Sequence, residues 1–457
     1  MTEYTADVVV LGGGSGGYAA ALRLAELGKD VVVVEKDKVG GTCLHRGCIP
    51  TKALLHAGEV ADAARGAADI GVDVTFGGID PARVRAYREG IVAKKFKGLE
   101  GLITARGIRV VAGEGRLEAG PAVRVGDDVY RGTDVVLATG SYSRSLPGLE
   151  IGGRVLTSEQ ALDLDVIPER VVVLGGGVIG VEFASVWRSF GVEVTIVEAL
   201  PHLLPAEDVS SSKALERAFR KRGIAFQLGR RFTSLSSDDH TVTVVLDDGS
   251  ELTADYVLVA VGRGPATAGL GYEEAGVVLE RGFVQTDARL RTAAAHVWAV
   301  GDIVPGLQLA HRGFQQGIFV AEEIAGLSPV LVPDVDVPRV AYSHPEVASV
   351  GLTEAQAQDR YGSEAIRAYE YNLAGNGRSE IIGTSGIVKI VRRVDGPVVG
   401  AHLVGDRVGE LISEAQLAVG WEAHPEDIAP FVHAHPTQSE ALGEAFLALA
   451  GKPLHAL

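Results

Sequence analysis

One internal repeat constrains this chain more than any other feature. Residues 6–36 (ADVVVLGGGSGGYAAALRLAELGKDVVVVEK) and residues 169–199 (ERVVVLGGGVIGVEFASVWRSFGVEVTIVEA) follow the same plan of strand, glycine turn, helix, strand and carboxylate. Gly12, Gly14 and Gly17 are answered by Gly175, Gly177 and Gly180, and Glu35 and Glu198 follow at the same offset. A single G-x-G-x-x-G is weak evidence. Two copies in a βαβ context, each ending in an acid at the right distance, make coincidental glycine turns a poor competing account. The expected class is α/β, with two Rossmann-like dinucleotide-binding domains.

Each residue type has a physical reason. The first glycine allows the tight turn, the second lets the backbone approach a pyrophosphate, and the third lets helix and strand pack closely. The helix N-terminus then faces the phosphate charge. Glu35 and Glu198 would accept the hydroxyls of an adenine ribose and repel a 2′-phosphate. Nothing in Val197–Pro205 (VEALPHLLP) offers an arginine instead, so NAD rather than NADP is expected at the second site.

The chain has two cysteines, Cys43 and Cys48, in GGTCLHRGCIPTK directly after the first unit. With no signal peptide and no apolar run long enough to span a bilayer, a cytoplasmic protein is expected, and there a lone pair is redox-active more often than a structural staple. A zinc site would need further ligands and a different spacing, so no metal is expected. Pro50 and the Ala-rich stretch after it place the pair at the first turn of a helix, whose dipole favours thiolate.

Composition agrees with an enzyme of about three domains. Against 43 basic residues stand 59 acidic ones, a formal charge of −16, and an acidic surface repels nucleic acid. Basic residues do gather in RVRAYREGIVAKKFK (83–97), at spacings that suit the solvated face of a helix; docking of a partner protein is the alternative. A nicotinamide hydride and a dithiol each carry two electrons, and a flavin accepts from either. FAD is therefore expected in the first unit, beside the cysteines, and NAD in the second.

The cysteine motif, the paired fingerprints, LATG (137–140), VGRGP (261–265), AVGD (299–302) and HAHPTQSEAL (433–442) together resemble the pyridine nucleotide-disulfide oxidoreductases along essentially the whole chain. Within that family the closest resemblance is to members that oxidise dihydrolipoamide. It implies that Cys43 is the interchange thiol and Cys48 the thiol against the flavin. Lys52 and Glu182 resemble an ion pair beside the flavin and nicotinamide rings, although a surface role would also account for them. Around FAD the resemblance adds Gly41, Thr42, Thr139, Gly140, Asp302 and Ala310, with Ala310 and His311 opening a helix that points at the flavin. Around NAD it adds Gly262.

His435 resembles the family's acid–base residue and Glu440 the carboxylate that orients it. Proton transfer to and from a dithiol calls for a group that titrates near neutral pH. Thr437 with Glu440 also fits a helix capping box, and a carboxylate has oxygens for both duties. His433 is left as a supporting residue, and a metal pair with His435 is the weaker alternative.

The family plan implies FAD binding over 1–147, NAD binding over 148–264, a return to the FAD domain over 265–333, and a C-terminal α+β dimerisation domain over 334–457. In that domain TEAQ (353–356) resembles a capping box. The resemblance implies a homodimer in which His435 serves the partner's cysteines. It also implies a substrate carried on a lipoyl-bearing protein of a 2-oxo acid dehydrogenase complex or the glycine cleavage system, with no nucleic acid or membrane partner. NADH-dependent reduction of another low-molecular-weight disulfide is the alternative activity. Four departures stand out. His45 and Arg46 add a titratable group and a charge between the cysteines, where they would tune the thiolate or the entrance. Gly313 and Gln316 replace alanine and glutamate under the flavin. Leu22 and Arg23 stand where glutathione reductases carry a basic pair, and the C-terminal cysteines of mercuric reductases are missing.

Overall fold

A computed structural model of the chain describes residues 2–455; the outermost expected domain limits, 1 and 457, lie outside the described residues. The chain divides into two compact units. The first gathers residues up to Ala53, Ala82–Arg144 and Gly262–Asp334; the second gathers Leu54–Pro81, Ser145–Val261 and the chain from Val335 onward.

In the first unit the apolar runs of the repeat form the centre of a parallel sheet. Strand Glu3–Leu11 lies between Val31–Glu35 and Asp128–Leu137, with Arg109–Ala112 outside Val31–Glu35. The long strand Asp128–Leu137 has two roles. Its first half carries the antiparallel strands Ala122–Val125 and Gly115–Glu118, and its last residues pair in parallel with Val297–Ala299. Val8, Val9, Val10, Val32, Val33, Val135 and Val136 are fully buried, as expected of a parallel sheet covered on both faces. Helix Ser15–Glu26 packs along helix Ala310–Ile324, and a Cβ on Gly317 would meet Gly16 O at 2.3 Å, so only glycine permits this approach.

The second unit repeats the plan. A parallel sheet runs Ala225–Leu228, Glu193–Glu198, Arg170–Leu174, Tyr256–Val259, Val155–Leu156, with helix Val178–Ser189 following the glycine turn. A small antiparallel sheet of Phe232–Ser237, Val242–Leu246 and Glu251–Ala254 accompanies it. A larger antiparallel sheet has the order Arg339–Ala341, Glu346–Gly351, Val398–Gly405, Ile387–Arg393, Ile366–Asn372. Helices Val408–Gly420 and Glu440–Leu449 cover that sheet and close a core around Leu403, Ile412, Leu442 and Phe446. An α/β chain with two Rossmann-like units and a C-terminal α+β body is therefore what is found. Among the described residues no helix is long and apolar enough to cross a membrane.

A buried ionic cluster ties the start of helix Val209–Arg222 to the larger antiparallel sheet. Asp208, capping helix Val209–Arg222, accepts from Lys389 Nζ at 2.8 Å, and Lys389 also meets Glu354 at 2.8 Å. Arg339 and Ser349 both bond Glu207 beside it. The TEAQ segment forms the expected capping box, with Thr353 N bonded to Gln356 and Gln356 N to Thr353 Oγ1.

Candidate active site

The two fingerprint turns have the same local chemistry. Gly12 and Gly175 adopt φ of +103° and +108°, and a Cβ on either would strike a carbonyl oxygen at 2.3 Å. A Cβ on Gly17 or Gly180 would meet the first glycine's own carbonyl at 1.9 Å. The middle glycines differ in kind. A Cβ on Gly177 would meet nothing within 4 Å, and one on Gly14 only Gly41 Cα at 4.0 Å. Both are helix N-caps with no side-chain hydrogen bond to the first turn. Space and bare N–H groups together fit a dinucleotide pyrophosphate at each turn.

Each carboxylate latches its own turn. Glu35 accepts from Gly13 N at 2.6 Å and Asp37 N at 2.9 Å, while Glu198 accepts from Gly176 N at 2.7 Å and Leu200 N at 2.8 Å. The absence of arginine in 197–205 overlooked Arg230, just past the neighbouring strand Ala225–Leu228, whose N–H bonds Glu198 O; its guanidinium is engaged by Asp248 at 3.1 Å. Only the sheet order, not the local sequence, brings Arg230 there. Nearby, Glu182 is buried and accepts the Tyr342 N–H at 2.9 Å.

Gly41 is what brings the cysteines to the first turn. Its φ is +59°, and a Cβ on it would lie 2.7 Å from Gly14 Cα. The short helix Gly41–Arg46, carrying Thr42 and Cys43, thus begins against the fingerprint glycine, and Cys48 is the first residue of helix Cys48–Gly66. Both cysteines are half-buried, and no disulfide joins them. The Cys48 side chain, as hydrogen-bond partner, and then burial push the Cys43 thiol up, while the Lys52 ammonium pulls the other way. Sequence reasoning missed Tyr18, on the fingerprint helix. Burial, and then the fields of Cys43 and Cys48, push its hydroxyl up to about 12. A tyrosine at that position reads as packing, so no local signal marked it.

His45 and Arg46 each have a partner within the loop. His45 Nε2 lies 2.9 Å from Val39 O and its ring meets Phe96 edge-on, while Arg46 pairs with Asp37. The side chains that act on Cys43 are those of Cys48 and Lys52.

The remaining expected flavin residues gather in the same unit. Asp302 accepts from Ser141 Oγ at 2.5 Å, and Ser141 Oγ in turn receives Arg263 Nε at 2.7 Å. Thr139 spends its hydroxyl on Ala266 O and Tyr272 OH. Gly140 adopts φ +74° with open space at its Cβ position. Ala310 is the first residue of helix Ala310–Ile324, again without a side-chain cap. Gln316 keeps the role of an acceptor, its Oε1 taking the Gly301 N–H at 2.8 Å, and the Cβ position of Gly313 makes only ordinary contact with Gly16. Arg23 is committed to Glu322 and Glu26. Gly262 falls in the first unit, with φ +103° and open space around its Cβ position.

In the second unit His435 is exposed, with Nδ1 2.9 Å from Glu440 Oε1. Glu440 Oε2 accepts the Thr437 N–H at 2.8 Å, so one carboxylate both holds the imidazole and serves the helix start. Thr437 Oγ1 turns to Ala434 O, which leaves the capping box half made. No group of three or more possible metal ligands occurs among the described residues.

Residues 6–317 match the family model described as pyridine nucleotide-disulphide oxidoreductase, and residues 337–446 match that family's dimerisation domain. The chain belongs to this family. Curated relatives agree in extent. A protein of Bacillus subtilis named dihydrolipoyl dehydrogenase is 40% identical, with 99% of each chain covered. One of the same name from Thermus scotoductus is 38% identical, again over 99% of each. Among solved structures of the oxidoreductase family, LpdA from Mycobacterium tuberculosis superposes with a TM-score of 0.90 at 29% identity, covering 98% of this chain and 100% of that one. RclA from Escherichia coli, titled an HOCl-induced flavoprotein disulfide reductase, gives 0.86 at 29% identity over 96% and 99%.

Proposed function

We propose that this chain oxidises protein-bound dihydrolipoamide to lipoamide with NAD⁺ as acceptor, using FAD and the Cys43–Cys48 couple. The observation that supports the reading is the start of the cysteine-bearing helix at Gly41 against Gly14, with Cys48 and Lys52 both acting on Cys43, in a chain 40% identical end to end to a dihydrolipoyl dehydrogenase. FAD would be held by Gly12, Gly14, Gly17, Glu35, Gly41, Thr42, Lys52, Thr139, Gly140, Asp302 and Ala310, and NAD by Gly175, Gly177, Gly180, Glu182, Glu198 and Gly262. When bound, FAD supplies a two-electron acceptor between the dithiol and the nicotinamide. The division into 1–147, 148–264, 265–333 and 334–457 follows from the same reading.

In the oxidised enzyme a dihydrolipoamide thiolate attacks Cys43, forming a mixed disulfide and releasing Cys48 as thiolate. The second lipoyl sulfur then displaces Cys43, closing lipoamide. His435 Nε2 takes the proton from the attacking thiol, and Glu440 on Nδ1 stabilises the imidazolium. Cys43, held protonated more readily than an ordinary thiol, receives a proton on leaving.

A homodimer would complete the site, His435 of one protomer serving the cysteines of the other. Its support is the dimerisation-domain match and an exposed apolar group within it: Trp421, Phe431 and Val432 are 76%, 70% and 96% exposed. The lipoyl carrier belongs to a 2-oxo acid dehydrogenase complex or the glycine cleavage system.

Purified holoenzyme supplied with NAD⁺ and dihydrolipoamide, free or on a lipoyl domain, should form NADH at a rate that Cys43→Ser abolishes. Inactivity with dihydrolipoamide, together with NADH-driven reduction of another disulfide, would instead establish the second reading, which the likeness to a flavoprotein disulfide reductase favours.

A further inference from the structure

His433, two residues before His435, has a built environment of its own. Its Nε2 lies 2.8 Å from Glu414 Oε1 on helix Val408–Gly420, and only 15% of its side chain is exposed, against 80% for His435. The ring rests on the final helix at Gly443, where an added Cβ would lie 2.6 Å from His433 Nδ1. Gly443 stands three residues after Glu440, one turn along the same helix face. Two imidazole–carboxylate pairs therefore meet at the start of this helix, His435 with Glu440 and His433 with Glu414. Glu414 and Glu440 are the charged groups that act on His433, with a smaller contribution from the Phe431 backbone, and Glu414 raises its basicity most. His433 in turn acts on Glu440.

We propose that His433 is a positioning residue for the acid–base step: anchored by Glu414 and admitted by Gly443 on the helix that carries Glu440, it sets the field at Glu440 and thereby acts on His435. This rests on the role of His435 given above. A protonated His433 competes with His435 for the negative field of Glu440, which keeps the proton on His435 easy to remove. Glu414 favours the charged form of His433, against its burial.

The test is a titration of the His435 imidazole by NMR in holoenzyme made with isotope-labelled histidine, its signal identified by loss in His435→Gln. Glu414→Gln keeps an acceptor for His433 and removes the charge; His433→Asn removes the imidazole. His433→Asn should raise the His435 midpoint by about half a pH unit or more, the scale of a neighbouring charge in a partly screened site, while Glu414→Gln, which removes an anion as it weakens the charge on His433, should move it less. A merely structural role would change melting or dimer mass and leave the midpoint in place. An unchanged or lowered midpoint in His433→Asn, or a larger rise in Glu414→Gln, overturns the proposal. No dihydrolipoamide is in the sample, so failure to oxidise that substrate is a separate result that bears on the activity alone.

Discussion

Glu440 Oε1 lies 2.9 Å from His435 Nδ1 while Oε2 of the same carboxylate takes the Thr437 N–H at 2.8 Å. The backbone bond fixes the carboxylate, and the carboxylate fixes which ring nitrogen carries hydrogen, so Nε2 is left as the base. In Glu440→Gln the amide can donate to Nδ1 and invert that tautomer. Expected losses in kcat for dihydrolipoamide are about 10–100-fold for Glu440→Gln and about 10²–10⁴-fold for His435→Gln. Steady-state assays on variants with an unchanged visible spectrum check both.

The middle glycine of the second turn separates folding from binding. A Cβ on Gly177 meets nothing in the chain, whereas one on Gly180 meets Gly175 O at 1.9 Å. Gly177→Ala should therefore melt like the parent yet raise the KM for NAD⁺ by about tenfold or more, a loss of about 1.4 kcal/mol. Gly180→Ala should yield little folded protein. Thermal melts beside NAD⁺ saturation curves distinguish the two, and a Gly177→Ala protein with parental KM would reject the pyrophosphate placement.

The Cys43 thiol is held up first by its hydrogen bond with the Cys48 side chain and next by burial. Removing that sulfur in Cys48→Ser should drop Cys43 toward the ordinary thiol range. More thiolate at pH 7 then means faster alkylation of Cys43 by iodoacetamide than in the reduced parent, read by mass spectrometry of the modified peptide. Lys52→Met should slow it, because the ammonium is the charge that favours the thiolate.

Glu346 gives a pH dependence unrelated to turnover. Burial most of all, and then Asp406, Glu59 and Glu410, push its carboxyl up to about 7, against the Gly409 N–H that favours the ionised form. The folded chain thus binds a proton that the unfolded chain has lost above its ordinary carboxylate range. Stability falls as pH rises from about 4.5 to 7, and the lost contribution stays lost above that. Glu346→Gln, which still accepts from Gly409, should raise the melting temperature by about 1–3 °C at pH 8 and change little at pH 4. Equal melting of the two proteins at pH 8 would refute it.

What was legible in the sequence was what repeats or what is local. VVVL and VVVVE are buried runs bounded by glycine turns, and their duplication announced both parallel sheets. The Thr353–Gln356 cap and the dual use of Glu440 needed only residues within a turn of one another. Contacts between distant segments left no such trace. The environments of His45 and Arg46 depend on Phe96 and Asp37, that of Arg230 on strand order, and that of Tyr18 on a cysteine helix folding back over it. Nor did the local sequence foretell that Lys389, on a strand far along the chain, would pin the cap residue Asp208.

The latch between Glu198 and the Gly176 and Leu200 N–H groups also bears on redesign. Converting such a site to a phosphorylated coenzyme is ordinarily a matter of exchanging one acid for a neutral or basic side chain. Here that exchange would also unfasten the turn that presents the helix to its ligand. With Glu198 assigned to the ribose as proposed above, coenzyme choice and loop geometry would share one side chain, so a switch of specificity calls for at least one compensating change that refastens the turn, and Arg230, once released from Asp248, is the nearby cation to test against the added phosphate.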